Sequence, residues 1–394
     1  MAARKIKNGV DWVGAIDWDR RLFDELIPLP DGTSYNAYLV RGRDRTALLD
    51  TVDPTRAADL FENLKELGTE KIDYVIAHHA EQDHSGSLPA ILALHPQAKV
   101  VTNPKCREIL ETHLLIPPEK FLTIGDREIL DLGGKTLEFI FAPWVHWPDT
   151  MFSYLREDNI LFTCDFLGSH LATSDLYVRD ESAVYHSAKR YFAEIMMPFR
   201  ANIRNHLEKI KDLRIDVVAP SHGPLYDRPA FIIEAYKDWV SDQVRNEVVL
   251  AFVSMHGSVR RMADYLTDVL IKKGVKVRSY NLTRTDVGEL AMALVDAATV
   301  VIGSPTVLAG AHPAAVYAAY LANALRPKTK FVSLIGSYGW GGKMPEAIRG
   351  LITSLDAKFL DPVVIRGYPR PQDYAALDRL AEDIRSAHLS VGAI

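Results

Sequence analysis

The sequence predicts an α/β protein with two domains, an αββα sandwich in residues 1–246 and a doubly wound parallel sheet in residues 247–394. The chain of 394 residues is long enough for two domains of ordinary size. In the first part, short β-rich runs alternate with helical segments, and the pattern is repeated in a mirrored second half, as in a sandwich. After residue 246, strand-like runs recur with regular helical crossovers, which favours a parallel sheet.

Composition limits the classes of function. The chain is 48% hydrophobic and 25% charged, which is typical of a globular protein, and its net charge of −5 gives no basic surface for nucleic acid. No apolar run approaches the length needed to cross a bilayer, and the amino terminus lacks the apolar core of a signal peptide. We therefore expect a cytoplasmic protein whose partners include neither nucleic acid nor membrane. Its two cysteines, Cys106 and Cys164, suit a reducing compartment. They are too few for a rubredoxin or a cysteine-ligated iron–sulfur cluster, which needs about four thiolates.

Periodicity predicts the elements of both domains. Strands are predicted at residues 35–40, 46–51, 74–77, 99–102, 135–141, 160–164, 215–219, 247–253, 275–280, 299–302, 330–335 and 361–365. In the first domain, helices are predicted at residues 54–67, 85–94, 104–113, 180–211 (interrupted at Pro198) and 229–240.

The stretch that organises the first domain follows the predicted strand 74–77 and reads His79-Ala80-Glu81-Gln82-Asp83-His84. A loop after a rigid strand end can direct several side chains toward one point. Most metal-dependent hydrolases with a similar loop have a second histidine in place of Glu81. An anionic oxygen ligand there shifts the preference from zinc toward iron or manganese. For this hexapeptide alone, a polar loop with chance histidines is the alternative.

Three more ligand-type residues follow strand-like runs. They are His146, in Ala142-Pro143-Trp144-Val145-His146-Trp147-Pro148-Asp149, Asp165, after strand 160–164, and His222, in Pro220-Ser221-His222-Gly223-Pro224. Seven ligands with one shared carboxylate suit two metals. His170 either lines the metal pocket or is a hydrogen-bonded loop histidine.

Other residues near these motifs are predicted to be structural. Strand alternation should direct Cys164 away from the metals and into the core. Helical spacing predicts that most of Tyr185, His186, Tyr191, Met196 and Met197 face the core. His78, His95, His113, His206 and His388 have no motif around them and are expected to be ordinary.

Three polar loops follow predicted strands of the second domain, where ligands of a doubly wound sheet bind. They are Ser254-Met255-His256-Gly257-Ser258-Val259, Gly303-Ser304-Pro305-Thr306-Val307-Leu308 and Gly336-Ser337-Tyr338-Gly339-Trp340-Gly341-Gly342. Hydroxyls and backbone N–H groups at the start of the helix after Val259 would form a phosphate cradle. Trp340 is expected near the ligand, with domain-interface packing as the alternative.

The order and spacing of the metal motifs resemble those of the flavodiiron proteins, whose catalytic domain has the metallo-β-lactamase fold, and the three loops resemble those of a flavodoxin. The resemblance covers nearly the whole chain and implies FMN, with the Gly303 and Gly336 loops flanking the isoalloxazine ring. The G-x-G-x-x-G fingerprint typical of FAD or NAD sites is missing. The phosphate loop departs from the usual pattern at Val259, where Thr or Ser is normal. One lost neutral hydrogen bond costs about 0.5–1.5 kcal/mol, which weakens FMN binding without abolishing it.

By the same resemblance, His79, Glu81 and His146 would hold one iron, Asp83, His84 and His222 the other, and Asp165 would bridge them. Some members of the family leave the histidine at the position of His84 unbound. The family reduces O2 to water, NO to N2O, or both, and the residues leave this choice open. Electrons are expected from an external donor, rubredoxin or another small redox carrier.

The family also implies a head-to-tail homodimer, possibly a tetramer, in which the FMN of one chain faces the irons of its partner. The residues alone leave two other functions as alternatives. One is a zinc hydrolase of the glyoxalase type with an appended flavodoxin, and the other is a plain electron carrier whose sandwich is inert. Metal analysis distinguishes the three.

Overall fold

The computed structural model describes residues 2–394, which separate into two compact units. The first unit contains residues 2–191 and 199–237, and the second contains residues 192–198 and 238–394. The chain therefore enters the second unit twice. No helix in the described residues is both long and apolar enough to cross a membrane.

The first unit consists of short strands and helices that alternate along the chain. Its strands are β1 (Arg4–Lys7), β2 (Val10–Trp12), β3 (Ala15–Asp17), β4 (Leu22–Phe23), β5 (Ile27–Pro28), β6 (Thr33–Tyr35), β7 (Tyr38–Arg41), β8 (Thr46–Leu49), β9 (Tyr74–Ile76), β10 (Lys99–Thr102), β11 (Phe121–Thr123), β12 (Ile129–Asp131), β13 (Thr136–Phe141), β14 (Met151–Leu155), β15 (Ile160–Cys164) and β16 (Val217–Pro220). Its helices are α1 (Ala57–Glu66), α2 (Gln82–Ser85), α3 (Leu88–Leu94), α4 (Pro104–His113), α5 (Glu181–Tyr191) and α6 (Arg200–Ile210). Helix α7 (Ala230–Val240) crosses into the second unit, and short 3-10 turns span Pro54–Arg56, Pro118–Lys120 and Met197–Phe199.

Two mixed sheets form the centre of the first unit. One has the strand order β1-β2-β7-β8-β9-β10-β11, and the other has the order β12-β13-β14-β15-β16. In both sheets antiparallel pairs give way to parallel ones, at β8–β9 in the first and at β15–β16 in the second. Apolar side chains of both sheets meet in one buried cluster, which includes Val40, Leu49, Ile76, Phe139, Leu155 and Phe162.

Helices cover the outer faces of these sheets. Leu60 of α1, Ile91 of α3 and Leu110 of α4 pack in a second cluster with Leu48 and Val75. On the other sheet, the ring of His206 in α6 packs edge-on against Phe152 of β14. The αββα sandwich predicted from the alternating pattern is therefore confirmed.

The second unit is a doubly wound sheet. Its strands are β17 (Arg245–Phe252), β18 (Lys276–Asn281), β19 (Ala297–Val307), β20 (Gly310–Ala311), β21 (Phe331–Tyr338), β22 (Lys358–Phe359) and β23 (Val363–Arg366). Its helices are α8 (Ser258–Lys272), α9 (Val287–Leu294), α10 (Pro313–Leu325), α11 (Met344–Leu351) and α12 (Pro371–Ser390), and residues Phe192–Met196 add a π-helical turn. The order is β18-β17-β19-β21-β22 with parallel pairing, and β23 also pairs with β21. The predicted parallel sheet is confirmed.

Several element boundaries differ from the predicted ones. The predicted strand 35–40 is interrupted at Asn36, because its side-chain amide donates to the carbonyls of Pro220 and Gly223 at 2.8 Å. Strands β19 and β21 continue through the glycine-containing runs that were predicted as loops, since Ser304 and Pro305 pair with Gly336 and Ser337. Strand β19 then turns into a hairpin with β20.

Candidate metal centre and flavin site

The candidate metal ligands lie at strand ends of the two sheets in the first unit. His79 follows β9, Asp165 follows β15, His222 follows β16, and His146 lies in the connection from β13 to β14. Strands β15 and β16 are parallel neighbours, so the residues that follow them emerge at the same edge. The structure brings all seven predicted ligand residues together at this edge of the sandwich.

One group of ligand atoms surrounds Glu81. Its Oε2 lies 3.2 Å from Nε2 of His79 and 3.0 Å from Nε2 of His146. Oδ2 of Asp165 lies 3.7 Å and 3.6 Å from the same two nitrogens. These four side chains offer ligand atoms that all lie within 4.8 Å of one another.

A second group surrounds Asp83. Nε2 of His222 lies 3.1 Å from Asp83 Oδ2, and Nε2 of His84 lies 3.3 Å from Asp83 Oδ1. Oδ1 of Asp165 lies 3.0 Å from His84 Nε2 and 3.3 Å from His222 Nε2. One oxygen of Asp165 therefore faces each group, which is the arrangement of a carboxylate shared between two ions.

The donor set fits two metal ions of the iron type. Both carboxylate oxygens of Asp83 and Oδ2 of Asp165 are buried and face histidine nitrogens at 3.1–3.7 Å, but none of them makes a well-aligned hydrogen bond among the described residues. Unpaired anionic oxygens are costly inside a protein unless a cation meets them. Three carboxylates and four imidazoles, with no thiolate among these seven residues, suit iron or manganese.

Charge coupling within the cluster is strong. Burial lowers the pKa of His222, but the carboxylates of Asp165 and Asp83 outweigh it and raise the pKa to about 10. Burial likewise opposes charge on His79, yet Asp149 and Glu81 raise its pKa well above the usual range. Burial raises the pKa of Asp165, but His84 and His222 hold it well below the usual range. Without metal, the cluster is thus a set of ion pairs whose protons a metal would displace.

Further hydrogen bonds orient the imidazoles. Both carboxylate oxygens of Asp149 lie 3.2 Å from Nδ1 of His79, and Oδ2 also accepts the N–H of Ala80 at 2.8 Å. Nδ1 of His222 donates to the carbonyl of Ser34 at 2.7 Å. With Nδ1 engaged in this way, each ring presents the lone pair of Nε2 to the centre. Sequence reasoning did not single out Asp149, although a carboxylate three residues after His146 was a usable signal.

Two aromatic side chains complete the wall of the cluster. The hydroxyl of Tyr191 donates to Oδ1 of Asp165 at 2.9 Å. Helical spacing predicted a core position for Tyr191, and the residue is buried as expected. The contact with Asp165 was not predicted. The ring of His170 lies 4.8 Å from the rings of both His222 and Tyr191, and its Nδ1 lies 2.9 Å from the hydroxyl of Thr33. Burial lowers the pKa of His170 well below the usual range, so it lines the centre as a neutral ring.

Cys164 is buried, as predicted, but its direction was predicted wrongly. Its sulfur comes within 4.8 Å of ligand atoms of His84 and Asp165. Strand alternation fails here because Cys164 has a φ of +52°, which turns the backbone out of the strand. Burial raises the pKa of the Cys164 thiol well above its usual value. The thiol is therefore protonated while the cluster holds no metal.

His78, expected to be ordinary, belongs to a buried network beneath the ligand loop. Its Nδ1 lies 2.7 Å from Asp50 Oδ2, and its Nε2 lies 2.7 Å from the hydroxyl of Ser153. The three side chains are at most 3% exposed, so no substrate can reach this Ser-His-Asp arrangement. Its role is to join β8, β9 and β14 next to His79.

A cavity of about 410 Å³ lies at the carboxyl ends of β17, β19 and β21 in the second unit. Its lining residues are Ser254, Met255, His256, Ser258, Val259, Pro305, Thr306, Leu308, Ala309, Ser337, Tyr338, Gly339, Trp340, Gly341 and Gly367. All three predicted loops thus contribute to one cavity. Mostly apolar walls with a few polar groups are typical of a cofactor site.

Some residues of the predicted loops do not line this cavity, namely Gly257, Gly303, Ser304, Val307, Gly336 and Gly342. Ser304 directs its hydroxyl into the backbone, donating to the carbonyl of Pro305 and accepting the N–H of His312. Gly257 instead caps α8 with a φ of +87°. Sequence reasoning missed Ala309 and Gly367. Gly367 follows the fifth predicted strand of the second domain, residues 361–365, and strand ends of such a sheet are where ligands bind.

The cavity also offers a place for a polar group. The hydroxyl oxygen of Ser254 is buried without a hydrogen-bond partner among the described residues. It lies on the wall close to the start of α8, whose first N–H groups have no intrahelical partner. Val259 is 1% exposed and packs in the apolar core, so this wall lacks the hydroxyl that a threonine would present. These features fit the phosphate of FMN.

Comparisons with known proteins show the family of the chain. A family model described as "ODP family beta lactamase" matches residues 33–223. The chain is 36% identical over 344 residues to a nitric oxide reductase of Moorella thermoacetica, covering 86% of each chain. It is 35% identical over 323 residues to the coenzyme F420H(2) oxidase of Methanothermobacter marburgensis, covering 79% of this chain and 80% of the relative.

Two solved structures are similar over nearly the whole chain. The rubredoxin oxygen:oxidoreductase from Desulfovibrio gigas has a TM-score of 0.95 at 28% identity, with all of both chains covered. The flavodiiron protein from Giardia intestinalis has a TM-score of 0.91 at 27% identity, with 99% of this chain and 98% of that chain covered. From the sequence relatives, the two sites and these structures together, we conclude that the chain belongs to the flavodiiron protein family.

Proposed function

We propose that this protein is a flavodiiron oxidoreductase that reduces O2 to water, NO to N2O, or both, with electrons delivered through FMN. The observation that carries the proposal is the position of Asp165, whose two oxygens face two separate groups of ligand atoms. An inert sandwich has no need of two such groups, and a two-metal hydrolase has no need of a flavin domain.

The ligands are assigned to two irons. His79, Glu81 and His146 would hold one, Asp83, His84 and His222 would hold the other, and Asp165 would be shared between them. Bound iron would supply a pair of redox centres that can share one small diatomic molecule. The unpaired oxygens of Asp83 and Asp165 support this assignment. Residues 1–246 would form the diiron domain and residues 247–394 the FMN domain.

The side chains around the ligands hold the centre in place. Tyr191 donates its hydroxyl proton to Oδ1 of Asp165 and so fixes the orientation of the shared carboxylate. Asp149 holds His79 with Nε2 directed inward. The neutral ring of His170 closes one side without adding charge.

FMN would lie in the cavity at the carboxyl ends of the second sheet. The buried hydroxyl of Ser254 and the start of α8 would receive the phosphate, and the apolar walls would receive the ring. The electron donor would be rubredoxin or another small redox carrier. Two relatives support an external donor, since the name of one refers to rubredoxin and that of the other to coenzyme F420H(2).

We also propose a head-to-tail homodimer, or a tetramer built from such dimers, in which each flavin faces the irons of the partner subunit. Large exposed apolar side chains support it, because such surfaces are rare unless a partner covers them. In the second unit Leu308 is 100% and Trp340 97% exposed at the cavity mouth. In the first unit Trp144, two residues before His146, is 46% exposed. A permanent interface of this kind should bury upward of about 2,000 Å². The two free, buried cysteines support a reducing compartment such as the cytoplasm.

Metal and flavin analysis with gas turnover tests the activity. Protein from iron-supplied cells should contain two irons and one FMN per chain, matching the two ligand groups and the single flavin cavity. It should consume O2, NO or both when supplied with reduced rubredoxin. Zinc at full occupancy together with thioester hydrolysis would overturn the proposal.

Mixed dimers test the assembly. One chain carries His79→Ala and His146→Ala, and the other carries substitutions at Ser254 and Gly257 that break the phosphate loop. Neither homodimer should turn over, whereas the hybrid should recover activity because it contains one intact flavin–iron pair between chains. A correctly assembled hybrid that carries half of each cofactor and stays inactive would refute the head-to-tail arrangement.

A further inference from the structure

The flavin cavity is nearly devoid of charged side chains. Among its lining residues, all within the described part of the chain, none is Asp, Glu, Lys or Arg, and His256 alone can carry a positive charge. A phosphate monoester carries between about −1.5 and −2 charges at pH 7. An anion taken from water into a mostly apolar cavity needs hydrogen bonds and an opposite charge.

His256 stands where that charge would meet the phosphate. It lies two residues before α8, next to Gly257, whose φ of +87° turns the loop into the helix. The ring is exposed, and within residues 2–394 no hydrogen bond or ion pair holds it. Its side chain is therefore able to turn toward an anion at the start of α8, near the unpartnered hydroxyl of Ser254.

The arginine side chains near the cavity make contacts with other residues of the protein. The guanidinium of Arg260 lies 4.5 Å over the ring of Phe252 and 3.9 Å from Asp264. Nε of Arg261 donates to the hydroxyl of Tyr374 at 3.2 Å. On the far side of the cavity, Nε of Arg366 donates to the carbonyl of Gly339 at 3.1 Å. None of these three arginines lines the cavity, so His256 is left as its source of positive charge.

We propose that His256 binds the phosphate of FMN as its side-chain counter-charge and takes over from the hydroxyl that Val259 lacks. The inference rests on the proposed function, since it requires that the cavity holds FMN. It follows that His256, more than any other side chain of the cavity, makes the protein prefer FMN to riboflavin, which has the same ring but no phosphate.

The test is a titration of flavin-free protein with FMN and with riboflavin. Binding is measured from the quenching of flavin fluorescence. Wild type should bind FMN more tightly than riboflavin. His256→Asn should weaken FMN binding by about 10-fold to 100-fold, the range of a charge-assisted hydrogen bond, and leave riboflavin binding unchanged. His256→Lys should restore the preference because it restores the charge.

His312 provides a matched control. It caps α10 through Nδ1, which accepts the N–H of Ala314, and it does not line the cavity. Asparagine can serve as the same cap, so His312→Asn should leave both affinities at the wild-type value.

The remaining outcomes refute the inference in distinguishable ways. If His256→Asn leaves FMN binding unchanged, or weakens FMN and riboflavin equally, the role of His256 is refuted while the flavin site stands. If wild-type protein binds neither flavin, the proposed function fails together with the inference.

Discussion

Replacing Asp149 by asparagine should lower the metal affinity of one of the two ligand groups and leave that of the other unchanged. Both oxygens of the buried carboxylate lie 3.2 Å from Nδ1 of His79, and one accepts the N–H of Ala80. Burial raises the pKa of Asp149, but His79 and the Ala80 amide outweigh it and keep the carboxyl ionised. Asparagine has nearly the same shape, but it removes the charge and turns one acceptor into a donor.

The size of the effect follows from these contacts. A hydrogen bond to a charged group contributes about 1.5–3 kcal/mol, and asparagine offers Nδ1 of His79 only one neutral acceptor, for which the N–H of Ala80 competes. Removing such an outer partner of a metal-bound histidine typically lowers metal affinity by about 10-fold to 100-fold. The loss should fall on the group of His79, Glu81 and His146. The group of His222 keeps its own support from the Ser34 carbonyl.

Metal-free protein titrated with Co²⁺ against a chromophoric chelator resolves the two sites. The variant should show one affinity reduced by about 10-fold to 100-fold and the other unchanged. Asp216→Asn is the matched control, since Asp216 is bonded to Asn159 and Arg214 away from the centre. Thermal unfolding of the metal-free variants separates metal binding from folding. Two unchanged affinities in a folded Asp149→Asn protein would refute the reasoning.

Three further outcomes are expected. Glu81→His should raise zinc occupancy and abolish gas reduction, because a neutral imidazole replaces a hard anionic ligand; unchanged iron content with unchanged O2 turnover would count against the ligand assignment. Val259→Thr should tighten FMN binding by about 2-fold to 10-fold, the worth of one neutral hydrogen bond, in a fluorescence titration; an unchanged or weaker affinity would show that the new hydroxyl does not reach the phosphate. Burial lowers the pKa of His388 to about 4, and its ring nitrogens lie 2.8 Å from Asn246 and Thr299, so folding favours the neutral ring. The stability due to the neutral ring is complete above about pH 6.5 and is lost as the pH falls toward 4, by up to about 3 kcal/mol. Urea unfolding at pH 7 and 4.5 should show this loss in wild type but not in His388→Gln, and equal losses in both would contradict it.

The metal ligands could be predicted from the sequence more completely than the residues that surround them. Each ligand-type residue follows a strand-like run, and the parallel neighbours β15 and β16 bring Asp165 and His222 to one edge, which His79 joins from the end of β9 in the other sheet. Asp149 and Tyr191 contact partners about 70 and 26 residues away. The proximity of Asp149 to His146 marks it as a candidate for the site, but local sequence does not show which side chain either residue contacts. Helical spacing shows that Tyr191 is buried, but it does not show which buried atom its hydroxyl meets.

The flavin site was predicted in outline for a similar reason. Strand ends of a doubly wound sheet point to the ligand, which located the loops after β17, β19 and β21. The extent of β19 depends on pairing with β21 and on a hairpin, neither of which is visible in a single stretch of sequence. For this reason Ser304 and Val307 were assigned to a loop that begins only at Leu308.

Because the chain enters the second unit twice, the protein cannot be divided into two fragments at a single position. Residues 192–198 group with the second unit although residues 199–237 of the first unit follow them, and their π-helical turn contacts α9 and α10. Expression of residues 1–246 alone would leave Phe192, Ile195 and Met196 without the neighbours that bury them. Expression of residues 247–394 alone would lack part of its own core. Recombination that swaps one half for that of a relative must therefore carry a short inner segment along with the second half, because a single crossover point cannot separate the two units.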